Sequence, residues 1–161
     1  MAKAVLALGS NLGNRRQWLV KALAAVKLTK GIELLQISPI VESKALILAG
    51  FDSSKPKFLN CVVEIETSLK PDQLLRALQA IEQNLGRKKL ERWGDRNIDI
   101  DILTYSSITL RSADLVIPHP EITNRAFVIV PWYLMDQKAE LPGYGSIAKL
   151  AGIFADQVKL K

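Results

Sequence analysis

Asp99 and Asp101 stand two residues apart in the run NIDIDILTY, alternating with Ile98, Ile100 and Ile102. Strict alternation is the period of a β-strand, so both carboxylates project from one face with Cα atoms roughly 6.5 Å apart. Carboxylates on that spacing can converge on hard cations that prefer oxygen. They can also hold two ions about 3.5–4 Å apart, as two-metal phosphoryl-transfer sites do. A bare Asp-x-Asp is more often a solvated polar face near Lys or Arg, so the neighbours decide. The preceding stretch GRKKLERWGDRN, residues 86–97, carries Arg87, Lys88, Lys89, Arg92 and Arg96 against Glu91 and Asp95. Guanidiniums beside such a pair form a polyphosphate cradle, because Arg meets phosphate oxygens bidentately. Trp93 is costly to leave in water and could stack on a flat ring.

A second pair lies in FLNCVVEIETS, residues 58–68. Alternation puts Leu59, Cys61, Val63 and Ile65 on one face and Phe58, Asn60 and Val62 on the other. An aromatic ring next to an amide can hold a planar, hydrogen-bonding heterocycle; a strand-end aromatic beside a turn-forming Asn is the plain alternative. Cys61 falls on the apolar face and reads as core. His119, the single histidine, sits between Pro118 and Pro120 and by itself reads as a loop residue rather than a base.

The elements that must position these residues follow from periodicity. KAVLALG, residues 3–9, is a short apolar run and predicts a central strand covered on both faces. GSNLGN makes a turn, and Asn14 caps a helix to about Thr29, with Gln17 placed as in a capping box. Residues 32–43 predict a second strand, with Pro39 marking an edge or bulge. Residues 44–57 predict a long loop of the kind that is often functional. After strand 58–68, Pro71 opens a helix that Gly86 closes. Its core stripe is Leu74, Leu78, Ile81 and Leu85, with Gln79 and Glu82 beside the stripe and able to reach over the sheet edge. The basic loop 86–97 and the strand IDIDILTY follow. Beyond lie a Pro-bounded turn, a short helix capped by Asn124, and a last helix after Gly143. The order strand, helix, strand, strand, helix, strand is the split βαβ, ferredoxin-like order. The expected fold is therefore α+β, a ferredoxin-like sandwich with a C-terminal extension and two long active-site loops. Both main helices should cover one sheet face, leaving the other for loops or the C-terminal region.

The chain has 161 residues, nearly half of them hydrophobic, with a net charge of +6. That length suits one domain, residues 1–161, with a real core. One cysteine excludes an internal disulfide and points to a reducing compartment, the cytoplasm. The first apolar run is too short for a membrane span. Positive charge favours anions without saying which.

Taken together, ALGSNLGN, FLN at 58, IEQNLGR at 81, RWGDRNIDIDIL at 92 and LVIPHPEITNRAF at 115 resemble the 6-hydroxymethyl-7,8-dihydropterin pyrophosphokinases of folate biosynthesis. The block R-W-G-x-R-x-I-D-I-D-I-L, followed by P-H-P and N-R-x-F, is highly specific. The resemblance implies transfer of a pyrophosphoryl group from ATP to the pterin hydroxymethyl oxygen, with release of AMP. It implies that Asp99 and Asp101 hold two Mg²⁺ ions, and that Arg87 and Arg92 act from the closing loop. It places Ser43, Leu46, Phe58, Asn60, Trp93 and Phe127 near the pterin. It places Gln79, Glu82, Lys89, Trp93, Arg96, Ile102, His119 and Arg125 near the nucleotide. In one stretch the chain departs from the pattern: ESKALILAG keeps Ser43 but lacks the proline that usually follows. The expected partners are the two small substrates, with no nucleic acid or membrane, and the chain is expected to be a monomer.

Two other classes share some of these features. A nucleotidyltransferase also pairs a GS turn with Asp-x-Asp, but there the acids follow the turn closely, whereas here about ninety residues intervene. A ferredoxin-like RNA-binding module needs exposed aromatics on its central strands; AVLALG has none, and two aspartates would face the RNA.

Overall fold

The computed structural model describes residues 1–47, 50–52, 54–86 and 97–161. Strand β1 (Ala2–Ser10) leads into helix α1 (Arg15–Leu28). The Asn14 side chain accepts the Gln17 backbone N–H at 3.1 Å, satisfying one of the orphan donors of the first helical turn. The segment expected as one strand over 32–43 is two, β2 (Ile32–Ile37) and β3 (Val41–Ser43). Pro39 between them has no N–H for the ladder, and the Ser38 hydroxyl substitutes for a backbone acceptor, receiving the Val62 N–H at 2.8 Å. The stretch 44–57 is not wholly loop. It contains a small hairpin, β4 (Ala45–Ile47) and β5 (Gly50–Asp52), with Leu46 opposite Phe51. Gly50 there has φ +114, a conformation other residues rarely adopt.

Strand β6 (Phe58–Thr67) is followed by α2 (Pro71–Asn84) and β7 (Asp99–Tyr105). The main sheet runs in the order Lys159–Leu160, β3, β6, β1, β7, with β2 on the other half of β6; every pairing is antiparallel. That is the strand order of the split βαβ arrangement.

Helices α1 and α2 pack on one face, burying Leu6, Leu8, Cys61, Val63, Ile65 and Ile100 against Leu19, Leu74 and Leu78. Fully burying a side chain of this size contributes about 2 kcal/mol. The opposite face is covered by the C-terminal region. Helices α3 (Ala126–Met135) and α4 (Ile147–Phe154) bury Val5, Ala7, Val62 and Leu103 beneath Ile129, Trp132 and Ile147. Asn124 does not cap α3: it ends a 3-10 turn, Ile122–Asn124, and the N-cap residue is Arg125, whose carbonyl accepts from Val128 and Ile129. The turn consumes the residues that a capped helix start would have used.

Cys61 lies on the helix-covered face, and burial pushes its thiol up to about 12. Labelling of native protein by a thiol reagent should therefore run no faster than unfolding exposes it. Rapid labelling with the fold intact would contradict this packing.

Candidate active site

Strand register builds the floor of the site. Asp99 lies opposite Gly9, and Gly9 lies opposite Asn60 on its other side; one pair further in, Asp101 lies opposite Ala7 and Ala7 opposite Val62. Directly paired residues share a face, so the two carboxylates and the Asn60 amide belong to one surface, separated only by small residues. Gly9 leaves room there for the Asn60 amide. A Cβ at that position would come 2.5 Å from Asn60 Nδ2 and 3.7 Å from Phe58 Cδ1. The sequence signal for this was available, since glycine inside a strand marks close approach, yet ALGS reads more readily as the start of a turn.

Asn60 is 6% exposed, and among the described residues its Oδ1 has no hydrogen-bond partner. The buried Ser43 hydroxyl is in the same condition, and Ser43 pairs with Phe58 across β3 and β6. A buried acceptor left unmet costs about 1–3 kcal/mol, which marks a place prepared for a polar ligand. Phe58 is half-buried on the same face as Asn60.

The other wall comes from the C-terminal region. Arg125 Nη1 lies 3.6 Å and His119 Nε2 4.0 Å from Asp101 Oδ2. The Arg125 guanidinium sits over the Phe127 ring, 5.7 Å from its centroid, a cation–π contact. His119 is fixed by its backbone N–H, which donates to the Leu103 carbonyl at 2.9 Å, and by Nδ1, which accepts the Glu121 N–H at 3.1 Å. With Nδ1 accepting, Nε2 carries the proton and faces Asp101 as a donor, not as a base.

Strand β7 is a sheet edge. Ile100 donates its backbone N–H to Glu82 Oε2 at 3.3 Å, away from β1. By the two-residue period Ile102 turns its backbone polar groups to that same open edge, while its side chain is core. A groove of about 260 Å³ runs along this edge, lined by Leu75, Asp101, Ile102, Leu115, Val116 and His119. Leu75, Leu115 and Val116 carry no chemical signal in the sequence, so reading by residue type missed them. Glu82 is buried and serves the edge strand directly, whereas Gln79 is exposed on α2.

The structure thus gathers Ser43, Phe58, Asn60, Asp99, Asp101, His119, Arg125 and Phe127 about one end of the sheet, with Ile102 and Glu82 at its rim. Arg87, Lys89, Arg92, Trp93 and Arg96 lie outside the described residues. Leu46 belongs to the β4–β5 hairpin.

The donor set suits a hard cation. Asp99 and Asp101 offer oxygen alone, and the one thiol is on the opposite face. No group of three or more His, Cys, Asp or Glu able to hold a metal occurs among the described residues.

The family model for 7,8-dihydro-6-hydroxymethylpterin-pyrophosphokinase matches residues 5–137. A 2-amino-4-hydroxy-6-hydroxymethyldihydropteridine pyrophosphokinase of Haemophilus influenzae is 38% identical over 161 residues, covering 100% of this chain and 98% of that one. The enzyme of the same description from Aquifex aeolicus is 41% identical over 131 residues, 81% of this chain and 78% of that one. Among solved structures, wild-type HPPK-DHPS of Plasmodium falciparum with pteroate superposes with a TM-score of 0.75 at 14% identity, over 99% of this chain and 45% of that chain. At that identity the likeness speaks for the fold alone, and this chain spans less than half of that protein's length.

Proposed function

Because this chain belongs to the 7,8-dihydro-6-hydroxymethylpterin-pyrophosphokinase family, we propose that the β1–β7 end of its sheet is where a pyrophosphoryl group passes from ATP to the acceptor alcohol. The overall reaction is the family's: ATP and 6-hydroxymethyl-7,8-dihydropterin give AMP and the dihydropterin diphosphate, in folate biosynthesis. One observation carries the placement. The Asp99–Asp101 face is continuous, across Gly9, with a buried amide oxygen that lacks a partner among the described residues.

Asn60 Oδ1 accepts a hydrogen bond from the pterin's N–H edge, and the rings of Phe58 and Phe127 flank its plane. Ser43 and the hairpin bearing Leu46 close the far side. The nucleotide lies along β7: Ile102 reads the edge of the base through its backbone, and Leu75, Leu115 and Val116 provide apolar contact. Glu82 and Gln79 border this groove from α2, Glu82 by holding the Ile100 N–H in place. Release of AMP requires that the hydroxymethyl oxygen attack the β-phosphorus. The hydroxyl proton is released to solvent, the bond from that phosphorus to the oxygen bridging it to the α-phosphorus breaks, and AMP departs with that oxygen. Arg125 neutralises charge on the chain of phosphates, and His119 offers it the Nε2–H as a donor. By the resemblance, Arg87, Lys89, Arg92 and Arg96, outside the described residues, would extend that neutralisation, and Trp93 would meet a substrate ring.

Asp99 and Asp101 would hold two Mg²⁺ ions. Bound there, they would offset triphosphate charge and lower the pKa of the attacking hydroxyl. No side chain in the described site is placed as a general base, and phosphoryl-type transfer rests chiefly on positioning and charge. We read residues 1–161 as one catalytic unit, a monomer working in the cytoplasm. No helix among the described residues is long and apolar enough to cross a membrane.

Titration calorimetry tests the assignment. A non-hydrolysable ATP analogue should bind with Mg²⁺ present and lose at least about tenfold in affinity in EDTA. Equal nucleotide affinity with and without the cation would count against the role given to Asp99 and Asp101.

A further inference from the structure

Both ends of the segment 44–57 are tied to a single arginine. Arg15, the first residue of α1, places Nη1 2.9 Å from Glu42 Oε2, and the same nitrogen donates to the Lys57 carbonyl at 2.8 Å. Glu42 immediately precedes Ser43, and Lys57 immediately precedes Phe58. Ser43 and Phe58 face each other in the β3–β6 register. The other Glu42 oxygen, Oε1, lies 3.5 Å from Lys161 Nζ. The Lys161 backbone N–H donates to the Ile40 carbonyl at 2.9 Å, and Lys159 pairs with Glu42. The last strand is thus laced onto β3 at the same residue that Arg15 grips.

The arrangement faces away from the acceptor pocket. Alternation along β3 puts Glu42 on the side opposite Ser43, and its register partner Leu59 belongs to the helix-covered core. Neither Arg15 nor Glu42 therefore reaches the heterocycle. Strand β3 has three residues, at the short end of the usual range, so few ladder bonds of its own fix where it sits. Ser43 ends it just where the chain leaves the sheet. Burial works to raise the Glu42 carboxyl, but the Arg15 hydrogen bond and the charges of Lys161 and Arg15 outweigh it and hold the group below its ordinary value. Glu42 accordingly stays ionised at neutral pH and keeps both cations.

We propose that Arg15 and Glu42 are positioning residues for the acceptor: a clamp beneath the sheet that sets Ser43 and Phe58 at the spacing the pterin requires. Lys161 steadies the clamp from the sheet edge. The inference rests on the reading of Ser43, Phe58 and Asn60 as the pterin pocket.

Kinetics of Arg15→Met test it, since methionine keeps an apolar stem while removing both contacts. The KM for the hydroxymethyldihydropterin should rise roughly tenfold, whereas kcat and the KM for ATP move less than about twofold. Arg15→Lys should recover part of the loss, because an ammonium has donors enough for both acceptors. An unchanged pterin KM in Arg15→Met, or equal rises in both KM values accompanied by a lower Tm, would show the pair to be merely structural and overturn the proposal. Phe58→Ala and Asn60→Ala are measured alongside. If they leave the pterin KM intact, the pocket reading fails and the clamp with it. If they weaken pterin binding while Arg15→Met does not, the clamp alone fails.

Discussion

Replacing Asp99 and Asp101 together by alanine is expected to lower kcat by at least about 10³-fold, the scale on which charge-stabilising groups act. The fold should survive. Both side chains are half-exposed at the mouth of the site rather than in the core. Two like charges on neighbouring rows repel, while Arg125 and His119 attract Asp101; removing the acids removes both effects, which oppose each other. Tm should therefore shift by no more than about 4 °C, equivalent to roughly 1 kcal/mol in a domain of this size. Binding of Mn²⁺ in the presence of nucleotide, followed by its paramagnetic resonance signal, should be lost in parallel with turnover. Full turnover in a correctly folded double variant would remove the basis of the mechanism.

Asn60→Ala should separate affinity from stability. The amide is buried with an oxygen that has no partner among the described residues, so the folded protein already carries that desolvation cost. Deleting it relieves the cost while giving up packing contacts beside Gly9. These terms are similar in size, and stability should stay within about 1 kcal/mol of the parent. Pterin affinity should fall by about 10²-fold, because a site built around a hydrogen bond discriminates strongly when that bond is missing. Calorimetric titration with hydroxymethylpterin reads the first quantity and thermal denaturation the second. A variant that loses several kcal/mol of stability with unchanged pterin affinity would make Asn60 a structural residue only.

The two substitutions touch the same floor from opposite sides of Gly9. Three strands contribute one row, Asp99, Gly9 and Asn60, and a slip of one residue in any of them would turn a functional side chain to the other face. The register is held by the core below, where Leu8, Cys61 and Ile100 occupy the alternate positions. Packing on one face thereby sets geometry on the other.

Much of this was legible in residue order. Period-two alternation placed Asp99 and Asp101 on one face and Phe58 and Asn60 on another strand's equivalent face. Asn14, Pro71 and Gly86 bounded the two helices, since capping and φ preferences are local properties of those residue types. The strand–helix order led to the split βαβ arrangement because few topologies accommodate it. The motif blocks led to the family.

Other features depended on contacts distant in sequence. Helix α3, AFVIVPWYLM, was expected as a short helix, but it is apolar on nearly every side and contains Pro131, so no amphipathic period says which face it buries; packing between the sheet and α4 decides that. Lys159–Leu160 became a strand because β3 offered an edge to it. Arg15 and Glu42 are far apart in sequence, and only folding brings them together with Lys57 and Lys161. The pairing of Gly9 with both Asp99 and Asn60 likewise required β1 to lie between β6 and β7. Local conformational preference and side-chain period are written into the chain, and they determined which residues could act and on which faces. Which faces meet is a matter of long-range burial and register, and that was decided only by the assembled tertiary structure.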